Sequence, residues 1–152
     1  MNFTVRDCRD DDLPALRELF LAARRATFTW EPPLRFRLED CDDLTTGERI
    51  WVAAATAGDA PLGFAAVWEA DAFLHHLFVH PDHQGQGVGS ALLAAATAPL
   101  LAPATLKCLE ANRRARRFYL HHGWEVTGNG NGPDGAWLLM REGHHTPWAG
   151  GA

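Results

Sequence analysis

Between Phe73 and Leu93 the chain reads FLHHLFVHPDHQGQGVGSALL, and no other stretch constrains the fold as much. The apolar run Leu77-Phe78-Val79 fits a buried strand. Pro81-Asp82 marks a turn. Glycines then hold the alternate positions 85, 87 and 89, and the apolar residues that follow predict a helix from about Val88 to Ala98. A strand, a glycine loop and a helix in that order leave little side chain around a set of backbone N–H groups. The helix N-terminus adds its partial positive charge behind them. Such a loop is suited to a pyrophosphate. Each dipole contact contributes only about 0.3–1 kcal/mol, so several N–H groups must act together.

The glycine spacing decides between pyrophosphate sites. A dinucleotide fingerprint needs G-x-G-x-x-G/A, and the sixth position is Ser90 when counted from Gly85 and Leu92 when counted from Gly87. A Walker loop needs G-K-[ST], and no lysine lies nearby. The pattern that does fit is Q-x-x-G-x-G, as Gln84, Gly87 and Gly89. A second block stands at Asn112–Glu125, NRRARRFYLHHGWE. Asn112 is a good N-cap and Gly123 a helix stop. Between them Ala115, Phe118, Tyr119 and His122 share one helical face. These two blocks, in their order and spacing, resemble the acyl-CoA motif and the second motif of the GNAT superfamily of N-acyltransferases. Together they cover about a quarter of the chain.

The resemblance implies an α/β protein of the GNAT fold: a mixed seven-stranded sheet with about four helices and a splayed acyl-CoA-binding cleft. In that family the strand before the glycine loop diverges from the next parallel strand, and pantetheine pairs with the exposed backbone. Here that pairing falls on Leu77 and Val79 with Phe78 between them. Pyrophosphate falls on the N–H groups of Gln84, Gly85, Gln86, Gly87, Val88, Gly89 and Ser90. Asn112 is expected to help hold the pantetheine arm, and Arg116 to lie near the 3′-phosphate. Acetyl-CoA is thus the expected co-substrate, with no metal.

The chemistry implied is direct transfer to an amine. Tyr119, the single tyrosine of the chain, is the candidate acid for the departing thiolate. The backbone N–H of Val79 is the candidate oxyanion donor. The amine must first lose a proton. His75 lies on the strand that ends at Val79, and an unperturbed imidazole near pKa 6.5 suits proton uptake at neutral pH. Alternation places His75 on the face of Leu77 and Val79 and His76 on the other, unless a bulge changes the count. Glu69 is the next candidate base. The acceptor pocket is expected in Ala26–Asp43, with Phe28 and Trp30 as walls and Glu31 as a partner for an ammonium. Some amino-terminal acetyltransferases of the superfamily carry a Glu five residues before the Asn of the second motif. Lys107 stands there in this chain, which counts against a protein N-terminus as acceptor. A small-molecule or amino-acid-like amine is the expected partner. A non-catalytic acyl-CoA-binding module of the same fold is the alternative.

Strands are predicted at Phe3–Arg6, Ile50–Thr56, Leu62–Glu69, Phe73–Val79, Thr105–Leu109, Trp124–Thr127 and Trp137–Met140. Helices are predicted after Asp10–Asp12, at about Arg35–Leu44, after the glycine loop and after Asn112. Gly128–Gly135 reads as a turn-rich loop. Residues 1–143 are expected to form the domain and 144–152 a loose tail.

Composition removes several classes. The 47% hydrophobic and 22% charged content is that of an ordinary globular domain. A net charge of −5 opposes a general nucleic-acid binder, and Arg113, Arg114, Arg116 and Arg117 read as a solvated helix face. Cys8, Cys41 and Cys108 have neither disulfide nor metal spacing. The histidine pairs 75/76, 121/122 and 144/145 fit no ligand motif, because neighbours on a strand diverge. The early charges leave no signal peptide, and Pro99 and Pro103 interrupt the longest apolar stretch. A cytoplasmic protein, monomer or homodimer, without membrane or nucleic-acid partners, is the expectation.

Overall fold

Seven strands form one mixed sheet in the order β1-β2-β3-β4-β5-β7-β6. They are β1 (Phe3–Asp7), β2 (Arg49–Ala55), β3 (Pro61–Trp68), β4 (Phe73–Val79), β5 (Thr105–Leu109), β6 (Glu125–Gly132) and β7 (Gly135–Arg141). The computed structural model describes residues 2–143, so the His144-His145 pair and the expected tail lie outside the described residues. β1 to β4 run antiparallel in turn, β4 and β5 are parallel, and β5, β7 and β6 are again antiparallel. The parallel step is the crossover expected where a helix joins two strands.

Four helices cover the two faces. α1 (Leu13–Thr27) and α2 (Asp40–Thr45) lie on one; α3 (Val88–Thr97) and α4 (Arg113–His121) lie on the other. α1 buries Leu16, Leu19, Phe20 and Ala23, the stripe its spacing requires. These pack on Val52, Ala54, Phe64 and Ala66 of the sheet. α3 buries Val88, Leu92, Leu93 and Ala96 against a second cluster that runs through Leu74, Leu106, Tyr119, Trp124 and Met140. Each fully buried Leu or Phe contributes about 1.5–3 kcal/mol. The three aspartates before α1 form a 3-10 turn, Asp10–Asp12. Asp12 accepts the Arg9 N–H at 2.7 Å and takes the Arg6 guanidinium as a fork at 2.7 and 2.9 Å. That fork holds the Asp12 carboxyl below its ordinary value and fastens β1 to the start of α1.

Two segments differ from expectation. The helix expected over Arg35–Leu44 is a 3-10 turn at Pro33–Arg35 followed, after a gap, by α2. Phe36 is extended, with φ −94° and ψ 134°, which ends the turn, and Arg25 donates to the carbonyls of Pro33 and Phe36 at 3.0 and 3.2 Å. The Asp40 carboxylate accepts the Arg37 N–H at 3.0 Å and starts α2 there. The glycine-rich run 128–135 is mostly strand, with the reversal confined to Pro133-Asp134. Gly130 serves close approach: a Cβ there would run into the Trp137 ring. The bare backbone of β6 lets that indole lie across it.

Candidate active site

β4 and β5 are registered at a single pair, Phe73 with Thr105, beside which the Thr105 N–H donates to Ala72 O at 2.9 Å. Beyond that point the strands separate. The His80 N–H donates to Leu62 O at 2.8 Å, on the β3 side. Alternation along an antiparallel ladder then turns the N–H and C=O groups of Val79 and Leu77 towards the gap. Phe78 presents its backbone to β3 instead, and its side chain joins the aromatic cluster with Phe20, Phe28 and Phe64. The gap is the splayed cleft expected from the sequence. Gln84 Nε2 already reaches Val79 O at 3.3 Å.

The glycine loop closes the top of the gap. Gly85 and Gly87 have φ of +78° and +83°, conformations an L side chain rarely takes. Among the described residues, the N–H groups of Gln84, Gly85, Gln86 and Gly87 donate to no protein acceptor. With the N-terminus of α3 they form a set of unsatisfied donors, a nest for an anion. Gly89 packs where a Cβ would touch Phe118 at 3.5 Å, which lets α4 come close to α3. His122 ties the two helices: one ring nitrogen lies 3.0 Å from Ser90 Oγ and the other 2.8 Å from Phe118 O. Bare N–H groups and missing side chains fit the diphosphate of CoA.

A cavity of about 650 Å³ runs along this loop, lined by Leu77, Phe78, Val79, Gln84, the three glycines, Val88, Ser90, Asn112 and Tyr119. It also takes in Ala26 and Thr27, from the segment expected to roof the acceptor, together with Arg114 and with His83, which no sequence pattern marked. Arg114, not Arg116, is the basic residue of α4 at this cavity; Arg116 lines neither of the two described here. The helix pitch separates the two by about 200°. Gln86 is exposed and its side chain lies outside the cavity.

A second cavity of about 550 Å³ opens on the other side of the gap, between Arg24, Phe28, Leu44, the His75-His76 pair, β5 and the turn at Pro133-Asp134. Five residues line both: Leu77, Phe78, Asn112, Ala115 and Tyr119. Tyr119 therefore stands where the two cavities meet. It packs on Phe118 and Trp124, and its hydroxyl has no hydrogen-bond partner among the described residues. Burial, reinforced by Cys108, pushes the hydroxyl above its ordinary pKa, so it keeps its proton. Asn112 caps α4 by accepting the Ala115 N–H at 3.2 Å. Burial likewise raises the Cys108 thiol, whose Sγ faces Leu109 O and Asn112 O. A thiol kept protonated is a poor nucleophile.

The histidines depart from simple alternation. Ala66 pairs with His76 and Val67 with Leu74, so His75 is the extra residue of a bulge. The bulge turns His75 away from the face of Leu77 and Val79 and onto that of His76; their ring centroids lie 3.8 Å apart. The expected divergence of this pair is therefore overturned. Glu48, just before β2, completes the group: its Oε2 lies 2.9 Å from His75 Nδ1. Ligand-type atoms of Glu48, His75 and His76 all fall within 4.8 Å of one another. Nothing in the spacing of residue 48 could have marked it, because α2 and the bulge bring it there.

Glu69 lies beyond the closed end of the gap, in a 3-10 turn, exposed and paired with Arg49 at 3.2 Å. It lines neither of the two cavities. Phe28 is a wall of the second cavity, whereas Trp30 and Glu31 line neither. Trp30 packs edge-on against Phe28. Glu31 binds Arg35 at 2.6 Å, and Arg35 also reaches Asp134 at the cavity rim, so Glu31 is spent on that strap. Lys107 holds its ammonium 4.5 Å from the centre of the Trp137 ring, on the wall of the same cavity.

Comparison with known proteins agrees with this geometry. The solution structure of apo YjaB from Escherichia coli superposes with a TM-score of 0.76 at 24% identity, over 93% of this chain and 98% of that one. The PaiA N-acetyltransferase from Thermoplasma acidophilum, in complex with coenzyme A, superposes with a TM-score of 0.74 at 15% identity, over 93% and 99%. At those identities the likeness is one of fold. Peptidyl-lysine N-acetyltransferase YjaB from Salmonella typhimurium is 39% identical over 80 residues, so the match spans about half the length of each, 52%. A family model described as acetyltransferase (GNAT) domain matches residues 46–126, the stretch that carries β2 to α4 and both motifs. This chain belongs to the GNAT acetyltransferase family.

Proposed function

We propose that this protein transfers the acetyl group of acetyl-CoA to a primary amine of a small, amino-acid-like acceptor. The observation that carries the reading is the meeting of two cavities at Tyr119, one beneath the glycine loop and one beside His75. The N–H groups from Gln84 to Ser90 would hold the diphosphate, with Arg114 supplying charge. The open edges of Leu77 and Val79 would bind the amides of the pantetheine arm. The acceptor would come from the side of Phe28 and Arg24.

His75 would take the proton that an alkylammonium must lose. The amine nitrogen then attacks the thioester carbonyl carbon; the C–N bond forms first, giving a tetrahedral oxyanion, and its collapse breaks the C–S bond. The Val79 N–H is turned towards the gap and would steady the oxyanion; one such donor contributes about 2.7–4 kcal/mol when well aimed. The Tyr119 hydroxyl, held protonated by burial, would give its proton to the leaving thiolate and be reprotonated, through solvent, by the second proton that the nitrogen loses as the amide forms.

The deciding experiment follows free thiol release from acetyl-CoA with two panels, small primary amines and lysine-containing peptides. Acceleration by small amines supports the reading. Acceleration by peptides alone would move the acceptor to protein lysines, in keeping with the name carried by the Salmonella relative. Tight CoA binding with no amine accelerating thiol release would instead favour a non-catalytic acyl-CoA-binding module.

A further inference from the structure

One buried carboxylate has no part in the reaction so far. The Glu48 side chain is 4% exposed, held at the end of the α2–β2 connection by its own N–H on Thr45 O at 3.0 Å. Its Oε1 is buried without a partner among the described residues, and Oε2 faces His75 Nδ1 at 2.9 Å. Burying a carboxylate is costly unless it is paired. Burial raises its pKa and His75 pulls it back down. His75 itself lines the acceptor cavity with its side chain 41% exposed, and its Nε2 bonds to nothing among the described residues.

We propose that Glu48 is a positioning residue for acetyl transfer: its carboxylate holds the His75 ring with the proton on Nδ1, so that Nε2 is the atom that receives the proton of the acceptor. The proposal rests on the reading of His75 as base. The proton balance is simple. Nε2 takes one proton from the ammonium, Nδ1 keeps its own, Glu48 stays ionised beside the imidazolium, and Nε2 later returns its proton to water. Fixing the tautomer in this way is how a buried carboxylate serves a histidine base.

Three features hold the ring in place. The bulge puts His75 on the Glu48 side of the sheet. The His76 ring stacks beneath it at 32° between planes. His76 is itself fixed by a hydrogen bond to Leu44 O at 3.2 Å, and burial keeps it neutral, with its pKa lowered to about 3. The other charged groups on this cavity are Arg24, Lys107 and Asp134, engaged respectively with Asp40, the Trp137 ring and Arg35. Glu48 is the one that bonds the His75 ring.

The test combines imidazole nitrogen NMR with kinetics. In the wild-type protein at neutral pH, His75 is expected as the Nδ1-protonated tautomer, a measurement that needs no variant. Glu48→Gln should mix the tautomers, since the carboxylate that accepts the Nδ1 proton is lost. It should cut kcat at pH 7 at least about tenfold, with KM for acetyl-CoA within a few-fold. An Nε2-protonated His75 in the wild type, or a Glu48→Gln protein with wild-type tautomer and kcat, would overturn the proposal. Activity lost to a chelator and restored by zinc would also overturn it, because the cluster would then be a cation site. If no amine is acetylated at all, the proposed function fails, while the tautomer measurement still decides whether Glu48 holds the ring.

Discussion

The rings of His75 and His76 lie 3.8 Å apart on the wall of the second cavity: His75 leaves its Nε2 open there, while His76 is packed edge-on against Phe20, 5.2 Å between centroids. Burial lowers the His76 pKa to about 3, whereas an exposed imidazole titrates near 6.5. Between those values the unfolded chain binds a proton that the folded chain refuses. Stability should therefore fall as pH drops below about 6.5, with a slope of up to about 1.4 kcal/mol per pH unit. His76→Gln keeps a donor for Leu44 O and cannot titrate. Chemical denaturation from pH 7 to pH 4 should show a shallower acid loss for this variant than for wild type; equal slopes would assign the acid arm to the carboxylates.

Gly87→Glu should abolish CoA binding while the chain stays folded. A Cβ at Gly87 meets nothing within 4 Å, so the new carboxylate fits sterically but stands among the donors meant for an anion. Its φ of +83° costs an L residue about 1–2 kcal/mol. Gly58→Glu is the control, since Gly58 has φ of +86° and equally open space in a turn remote from both cavities. Calorimetric titration should find binding lost only in the first. Equal binding by both variants would mean that the loop is not the anion site.

Tyr119→Phe should lower kcat at least about tenfold, with KM for acetyl-CoA within a few-fold. Because the hydroxyl bonds to nothing among the described residues, the melting temperature should barely change. An unchanged kcat would make Tyr119 a packing residue.

Arg114→Ala should weaken CoA about tenfold in low salt, and the difference should shrink as salt is added. Arg116→Ala should leave the affinity within twofold. Isotherms for the two variants at two salt concentrations separate them. The opposite order would return the phosphate contact to the residue first expected from the sequence.

What the sequence disclosed and what it hid divide along physical lines. The glycine loop, the Asn112 cap and the stripe of α1 are local patterns, and local patterns survive translation into coordinates. The exit of β4 from its neighbour was legible because the two motifs fix which strands flank the gap. The bulge at His75 was not, since one extra residue in a strand leaves no compositional trace and reverses which face each side chain takes. Glu48 was hidden for the same reason, as its place depends on α2 and that bulge together. The glycines at 128–132 misled because turn chemistry and close approach use the same residue. Trp137, seven residues on from Gly130, was the clue to the second use.

A sheet whose halves meet at one registered pair behaves mechanically as two plates on a pivot. One plate is β1 to β4 with α1 to α3, and the other is β5 to β7 with α4. The core that joins Leu74 and Leu92 to Leu106, Tyr119 and Met140, with His122 on Ser90 and Arg35 on Asp134, resists rotation about Phe73 and Thr105, but no ladder of backbone bonds does. A molecule lying in the gap and bonded to Leu77 and Val79 would add the missing rungs on one plate while touching α4 on the other. Ligand binding and inter-plate stiffness are then the same event. The amide hydrogens of Leu77 and Val79, open to water when the gap is free, would report it directly through slowed exchange.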